Sequence, residues 1–172
     1  MTEALTLIPL DNVDPALVEA LLDRAFEPER RQRTAYKLRE GVDWLPGLSF
    51  AAIDADEHLL GTIQCWPVSL TDPAGRAHPL ILVGPVAVLP EAQGLGCGKA
   101  LMTAALGALD PRAPLPQVMI GDPEYYGRFW GFTADHTGGW QLPGPWEPRR
   151  LLARTGNPAV LPREGTLGPW RG

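Results

Sequence analysis

Three glycines at alternate positions, Gly94, Gly96 and Gly98, lie in the run Gln93-Gly94-Leu95-Gly96-Cys97-Gly98. An apolar stretch precedes this run and a helical pattern follows it. Such a turn suits an anion: the first N–H groups of a helix lack intrahelical partners, and the helix dipole is positive there. Glycines let phosphate oxygens come close to the backbone, because a Cβ would block the approach. Two familiar phosphate motifs fail on residues. A Walker A loop ending at Gly98-Lys99 would have Gln93 in place of its first glycine and Ala100 in place of the magnesium-binding hydroxyl. A dinucleotide fingerprint begun at Gly94 and Gly96 would end on Lys99 instead of a third glycine. No G-x-S-x-G elbow of a serine hydrolase occurs.

The remaining reactive side chains are scattered. Cys65 and Cys97 lie far apart and form neither a disulfide framework nor a metal-ligand spacing. His58, His78 and His136 are equally dispersed, so no metal site is expected. Cys97 lies beside helix N–H groups that could lower a thiol pKa. Asp122 before Pro123 reads as a helix cap. Arg30, Arg31, Arg33, Lys37 and Arg39 make residues 30–39 the most basic part of the chain. Such a cluster suits a carboxylate or phosphate, or forms a solvated helix face.

These residues need elements to hold them. Residues 5–9 read as a strand. Asp14 caps a helix with Pro15 in its first position and Leu17, Val18, Leu21, Leu22 and Ala25 on its apolar face. A second helix is expected over 30–39, ending at Gly41. Strands follow at 48–53, at 60–70, where Pro67 suggests an edge or bend, and at 79–89, where Gly84-Pro85 predicts a kink or bulge. The helix after the glycine turn covers 99–109, with Ala100, Leu101, Ala104, Ala105 and Ala108 at helical spacing. A strand at 117–120 and a short helix at 123–129 come next. Strand, loop, helix, strand implies a right-handed crossover with parallel neighbours, while tight turns make the earlier strands antiparallel. The expected fold is α/β, a mixed and mostly antiparallel sheet with helices on its faces. From Trp140 onward prolines and glycines recur every few residues, which predicts a strand or two and then an extended tail from about residue 154.

The chain has 172 residues, 45% hydrophobic and 20% charged, and reads as one domain with an ordinary globular composition. A net charge of −5 argues against a broad nucleic-acid-binding face. Residues 1–10 lack a secretory leader, and no stretch reaches the ~20 apolar residues of a membrane span. A cytoplasmic protein is expected. The apolar, proline-rich stretch from Leu142 could cover a sheet edge or contact a second subunit in a homodimer.

Read as Q-x-x-G-x-G on Gln93, Gly96 and Gly98, the turn resembles the [QR]-x-x-G-x-[GA] motif of the GNAT superfamily of acyl-CoA N-acyltransferases. Val86-Ala87-Val88-Leu89-Pro90-Glu91 resembles the end of that family's fourth strand. Gly121-Asp122-Pro123-Glu124-Tyr125-Tyr126-Gly127-Arg128-Phe129-Trp130-Gly131-Phe132 is similar to the segment after the fifth strand in the YhbS-like branch. The likeness extends over 50–153, weakly through Leu142-Pro143-Gly144-Pro145 and Arg150-Leu151-Leu152.

The resemblance implies a single GNAT-like domain whose parallel strand pair splays at the cofactor site. It implies transfer of an acetyl group from acetyl-CoA, or another acyl-CoA, to a primary amine of a small molecule or protein, by direct attack in a ternary complex. The Val86 N–H would polarise the acyl carbonyl and Val88 would pair with the pantetheine arm. The loop Gln93, Gly94, Leu95, Gly96, Cys97 and Gly98 would hold the diphosphate, and Lys99 would add charge beside it or stand as a solvated helix residue. The family fills the Cys97 position with assorted small or apolar residues, which weighs against a nucleophilic thiol. Tyr126 would be the general acid for the departing thiolate. Trp130 is an extra residue against the family's spacing: counting from Gly131-Phe132 puts Gly127 at the catalytic position, and aligning the tyrosine pair puts Tyr126 there, with Tyr125 the other phenol. Arg31, Arg33, Tyr36 and Trp66 come from regions that line the acceptor cleft. Glu40, Glu91 and Glu124 read as surface charges rather than as a general base, and Asp122 as a cap rather than a pantetheine ligand. The rival functional readings are a non-catalytic acyl-CoA-binding regulatory module of the same fold and a plain interaction domain.

Overall fold

A computed structural model describes residues 5–26 and 28–170. The first four residues of the N-terminal stretch, Glu27 and the last two residues of the C-terminal stretch lie outside the described residues. The strands β1 (Thr6–Pro9), β2 (Phe50–Ile53), β3 (Leu59–Thr71), β4 (Ala77–Val88), β5 (Gln117–Ile120), β6 (Gly139–Gln141), β7 (Leu151–Arg154) and β8 (Glu164–Pro169) form one mixed, mostly antiparallel sheet. Its order is β1-β2-β3-β4-β5-β7, with β8 on β3 and β6 on β8. The chain forms two compact units, one from residues up to Arg30, Trp44–Cys65 and Gly84–Leu109, the other from Arg31–Asp43, Trp66–Val83 and residues from Asp110 on.

In the first unit β1 (Thr6–Pro9) runs antiparallel to β2 (Phe50–Ile53), and β2 antiparallel to the start of β3 (Leu59–Thr71). Helix α1 (Pro15–Ala25) begins where expected, because Asp14 Oδ1 accepts the Ala16 N–H at 2.9 Å and Pro15 has no donor to lose. Val18, Leu21 and Leu22 are buried with Leu10, Ala51 and Ala87. Leu17, expected on that face, is 55% exposed, since the buried stripe runs one position further round the helix. Arg30 is almost fully buried, and its guanidinium donates to Glu19 at 2.7 Å and to Asp23 at 2.9 Å.

Helix α3 (Cys97–Gly107) starts two residues before the expected Lys99. Its buried residues are Cys97, Leu101, Met102 and Ala105, an i, i+4 stripe with one neighbour. Ala108, expected on that stripe, lies past the helix end and is exposed. Ala51 and Ala52 are consecutive in β2 and so point to opposite faces. Ala51 is buried with α1. Ala52 pairs with Gly61, whose side-chain position faces Cys97 and Leu101 of α3. Within this unit, α1 and α3 therefore cover opposite faces.

In the second unit β5 (Gln117–Ile120) runs parallel to β4 (Ala77–Val88) at Ile81–Leu82 and antiparallel to β7 (Leu151–Arg154) along its length. The stretch expected to be a tail after residue 154 carries another strand instead. This β8 (Glu164–Pro169) pairs antiparallel with Val68–Thr71 of β3 and parallel with β6 (Gly139–Gln141). Pro67 lies inside β3, and its carbonyl accepts the Trp170 N–H at 3.1 Å. The basic helix expected over 30–39 divides. A 3-10 turn ends at Gln32, Arg33 is extended, and α2 is only Thr34–Lys37.

Candidate functional site

The glycine turn forms because β4 ends against Pro90 and a 3-10 turn, Pro90–Ala92, redirects the chain. Gly94 and Gly96 then have φ of +89° and +81°, a left-handed conformation that costs a residue with a Cβ about 1–2 kcal/mol. Gly96 is the N-cap of α3 and no side chain caps the helix. The first intrahelical bond beyond it runs from the Ala100 N–H to the Gly96 carbonyl at 3.0 Å. Gln93, Gly94, Leu95, Gly96 and Lys99 are exposed, Gly98 is half-buried, and a Cβ on Gly94 or Gly96 would meet nothing within 4 Å. The turn is therefore an open, uncapped helix N-terminus, and it can accept an anion on its backbone.

Cys97 departs from its neighbours. Its side chain is buried and its thiol pKa is raised by that burial, so the thiol is neither exposed nor activated. Only its backbone belongs to the turn.

Along β4, Ala87 is buried in the α1 face while Val86 and Val88 are half-buried. Parallel pairing with β5 stops at Leu82 and Val118, although β4 continues to Val88. Gly84-Pro85, where a kink was expected, is a cis peptide. Beyond it, the Val86 and Val88 backbone has no β5 partner among the described residues. An extended chain could pair there.

Helix α4 (Pro123–Trp130) carries both tyrosines. Asp122 caps it, accepting the Glu124 N–H at 3.0 Å, and its carboxyl is held below the usual range first by a hydrogen bond with the Glu124 side chain. Trp130 completes the last turn and Gly131 ends it at φ +77°. Arg154 fixes that end, donating from Nε to the Trp130 carbonyl at 2.8 Å and from its guanidinium to Gln117 Oε1 at 2.7 Å. The Tyr126 ring lies edge-on to Tyr125 at 4.9 Å and to Phe132 at 6.4 Å. Its phenol pKa is raised, chiefly by burial, and its hydroxyl makes no hydrogen bond to any described residue. Tyr125 also packs on the exposed Phe129, with ring centres 5.1 Å apart.

The expected acceptor-side residues do not all gather. Arg31 and Arg33 are exposed, whereas Tyr36 and Trp66 meet through Arg39, whose guanidinium lies 3.7 Å and 4.5 Å from their ring centres. Arg39 was visible in the sequence only as part of a basic run. Thr34 Oγ1 donates to the Pro145 carbonyl at 2.5 Å and Lys37 Nζ to that of Pro143 at 3.4 Å, which fastens α2 to the 143–145 loop. Glu40 is exposed, and Glu91 and Glu124 form exposed ion pairs with Arg24 and Arg149. Asp54 and His58 close the β2–β3 hairpin. Gly121 was missed: a Cβ there would crowd the Tyr126 ring. The segment that begins at Gly121 stands out in the sequence, but the glycine's contact with the Tyr126 ring depends on the fold.

Among the described residues no helix is long and apolar enough to cross a membrane. The family model of the GNAT acetyltransferases matches residues 16–112, more than half of the chain. An uncharacterized N-acetyltransferase, YhbS of Escherichia coli K12, is 29% identical over 124 residues, 72% of this chain and 71% of the relative. The crystal structure of E. coli YhbS with CoA is similar in fold, with a TM-score of 0.71 and 24% identity over 99% of this chain and 91% of that one. A GNAT family acetyltransferase of Brucella melitensis, crystallised with acetyl-CoA, gives a TM-score of 0.64 and 23% identity over 98% and 97% of the two chains. The exposed glycine turn between β4 and α3 falls inside the matched segment, and the chain belongs to the GNAT acetyltransferase family.

Proposed function

We propose that the protein transfers an acetyl group from acetyl-CoA to a primary amine of a small molecule or protein, by direct attack in a ternary complex. The observation that carries this reading is the uncapped N-terminus of α3 next to a β4 edge that β5 leaves unpaired. In the Gln93–Lys99 turn the Gln93 and Leu95 N–H groups bond the Pro90 and Ala92 carbonyls, and the N–H groups of the first turn of α3, from Cys97 to Lys99, are the ones offered to a diphosphate. The Val88 backbone offers a strand edge to the amide-bearing pantetheine arm. The Val86 N–H donates to the thioester carbonyl, and a donor so placed is worth roughly 10²–10³ in rate.

In the reaction the neutral amine's lone pair attacks the carbonyl carbon. The carbonyl π electrons move to oxygen and return as the C–S bond breaks. The sulfur leaves with the bonding pair and takes the Tyr126 phenolic proton, while the amine nitrogen loses its surplus proton to water. A phenol is protonated at neutral pH, as a general acid must be, and burial raises the Tyr126 pKa further above its ordinary 10.0. Tyr125 packs toward Phe129 and is assigned no part.

The test is acetyl-CoA consumption over a panel of amines, with CoA binding measured in parallel. The wild type is expected to acetylate at least one class of amine. Tyr126→Phe is expected to lose about 10²–10⁴ in kcat while retaining acetyl-CoA affinity. CoA binding with no turnover on any amine would favour the non-catalytic binding module, and no CoA binding would remove both readings.

A further inference from the structure

Gly61 lies in β3, where a glycine weakens the strand unless something needs the space of its side chain. Three atoms need it. A Cβ on Gly61 would stand 2.7 Å from Cys97 Sγ, 2.8 Å from the Ala87 carbonyl oxygen and 3.2 Å from Leu101 Cδ1. Cys97 is the first residue of α3, and Leu101 lies one turn further on. Ala87 is the residue between Val86 and Val88. The missing methyl is therefore where the first turn of α3 and the last residues of β4 both close on β3.

We infer that Gly61 is a positioning residue for acyl-CoA, setting together the height of the diphosphate turn and the course of the β4 edge. This rests on the acyl-CoA reading proposed above. Cys97 is 2% exposed, so its sulfur is enclosed, and the Ala87 oxygen is the contact least able to give way. The Ala87 oxygen belongs to the backbone, and the next residue but one, Leu89, is tied to β3 by its N–H to the Leu60 carbonyl at 2.9 Å. A methyl at Gly61 must lift α3, displace β4, or do both. Gly107, at the other end of α3, supplies the contrast, because a Cβ there meets nothing within 4 Å.

The experiment compares wild type, Gly61→Ala and Gly107→Ala by calorimetric titration with acetyl-CoA and by steady-state kinetics with an accepted amine. Gly61→Ala is expected to raise the acetyl-CoA Kd and KM about tenfold and to leave the amine KM within about twofold, as a misplaced binding turn does. Gly107→Ala is expected to match wild type. In the double variant Gly61→Ala/Cys97→Ala, removal of the sulfur is expected to recover part of the lost affinity. If Gly61→Ala does not accumulate as folded protein, Cys97→Val crowds the same space from the α3 side and should raise the acetyl-CoA KM alike. An acetyl-CoA Kd within twofold of wild type in the folded variant overturns the inference. So does a fall in kcat with both KM values unchanged, the mark of a smaller folded fraction. A wild type that binds no acetyl-CoA fails the acyl-CoA reading itself.

Discussion

Tyr126 lies so close to Gly121 that a Cβ there would come within 2.9 Å of the ring's Cε2 and 3.0 Å of its Cδ2. Gly121 cannot retreat, because its N–H is bonded to the Arg150 carbonyl at 3.0 Å. In Gly121→Ala the ring must therefore swing. On the proposed role of Tyr126, kcat falls about tenfold while the acetyl-CoA KM stays near wild type. Steady-state kinetics on the folded variant checks this, and an unchanged kcat would separate the ring's position from the reaction.

That relationship marks where the sequence stops being legible. Asp14-Pro15 and Asp122-Pro123 announced both capped helices because capping is local, settled within three residues. The glycine turn was legible for the same reason. What escaped depends on distant partners. Arg39 becomes a bridge only when Trp66 of β3 meets it, and the close contacts at Gly61 and Gly121 come from what the fold packs against them. The strand at Glu164–Pro169 was read as tail because prolines and glycines depress strand propensity, yet pairing with β3 and β6 outweighs that preference. The basic helix failed at Arg33, whose extended backbone ends one turn and starts the next.

The left-handed Gly96 separates conformation from bulk. A Cβ at Gly96 meets no protein atom within 4 Å, so in Gly96→Ala the cost to the free protein comes from φ of +81° and amounts to about 1 kcal/mol. Asparagine tolerates that region better, so Gly96→Asn should lose less. Acetyl-CoA affinity should fall in both, since either side chain stands on the proposed diphosphate approach. Denaturant melts and titration of the two variants read these effects separately, and equal stability losses would contradict the conformational account.

Alkaline pH should destabilise the protein through groups that burial keeps protonated. Burial pushes the Cys65 thiol up to about 12 from an ordinary 9.0, and it also raises the Tyr126 phenol above 10.0. Above pH 9 the unfolded chain releases the thiol proton and the folded chain keeps it. The stabilising contribution is therefore complete below about pH 9 and is lost as pH rises toward 12. Cys65→Ala should melt lower at neutral pH, because it leaves a small void, but its Tm should decline less steeply between pH 9 and 11. Parallel Tm-against-pH slopes for wild type and variant would exclude Cys65 as a source of the loss.

Thr62 offers a change in the opposite direction. It is fully buried in β3 opposite Ala51, on the face covered by α1, and its Oγ1 has no hydrogen-bond partner among the described residues. A buried hydroxyl without a partner carries its desolvation cost uncompensated, commonly about 1–3 kcal/mol. Valine keeps the branched shape, suits a strand and replaces the oxygen with a methyl that the apolar face of α1 can contact. Thr62→Val should raise stability by about 1 kcal/mol, or about 2–4 °C in Tm for a chain of this length. Because only a side chain in the core changes, the m-value should stay constant while the denaturation midpoint moves up. A lower midpoint would mean that the hydroxyl has an acceptor in solution, and would overturn the account of Thr62 as an uncompensated buried group.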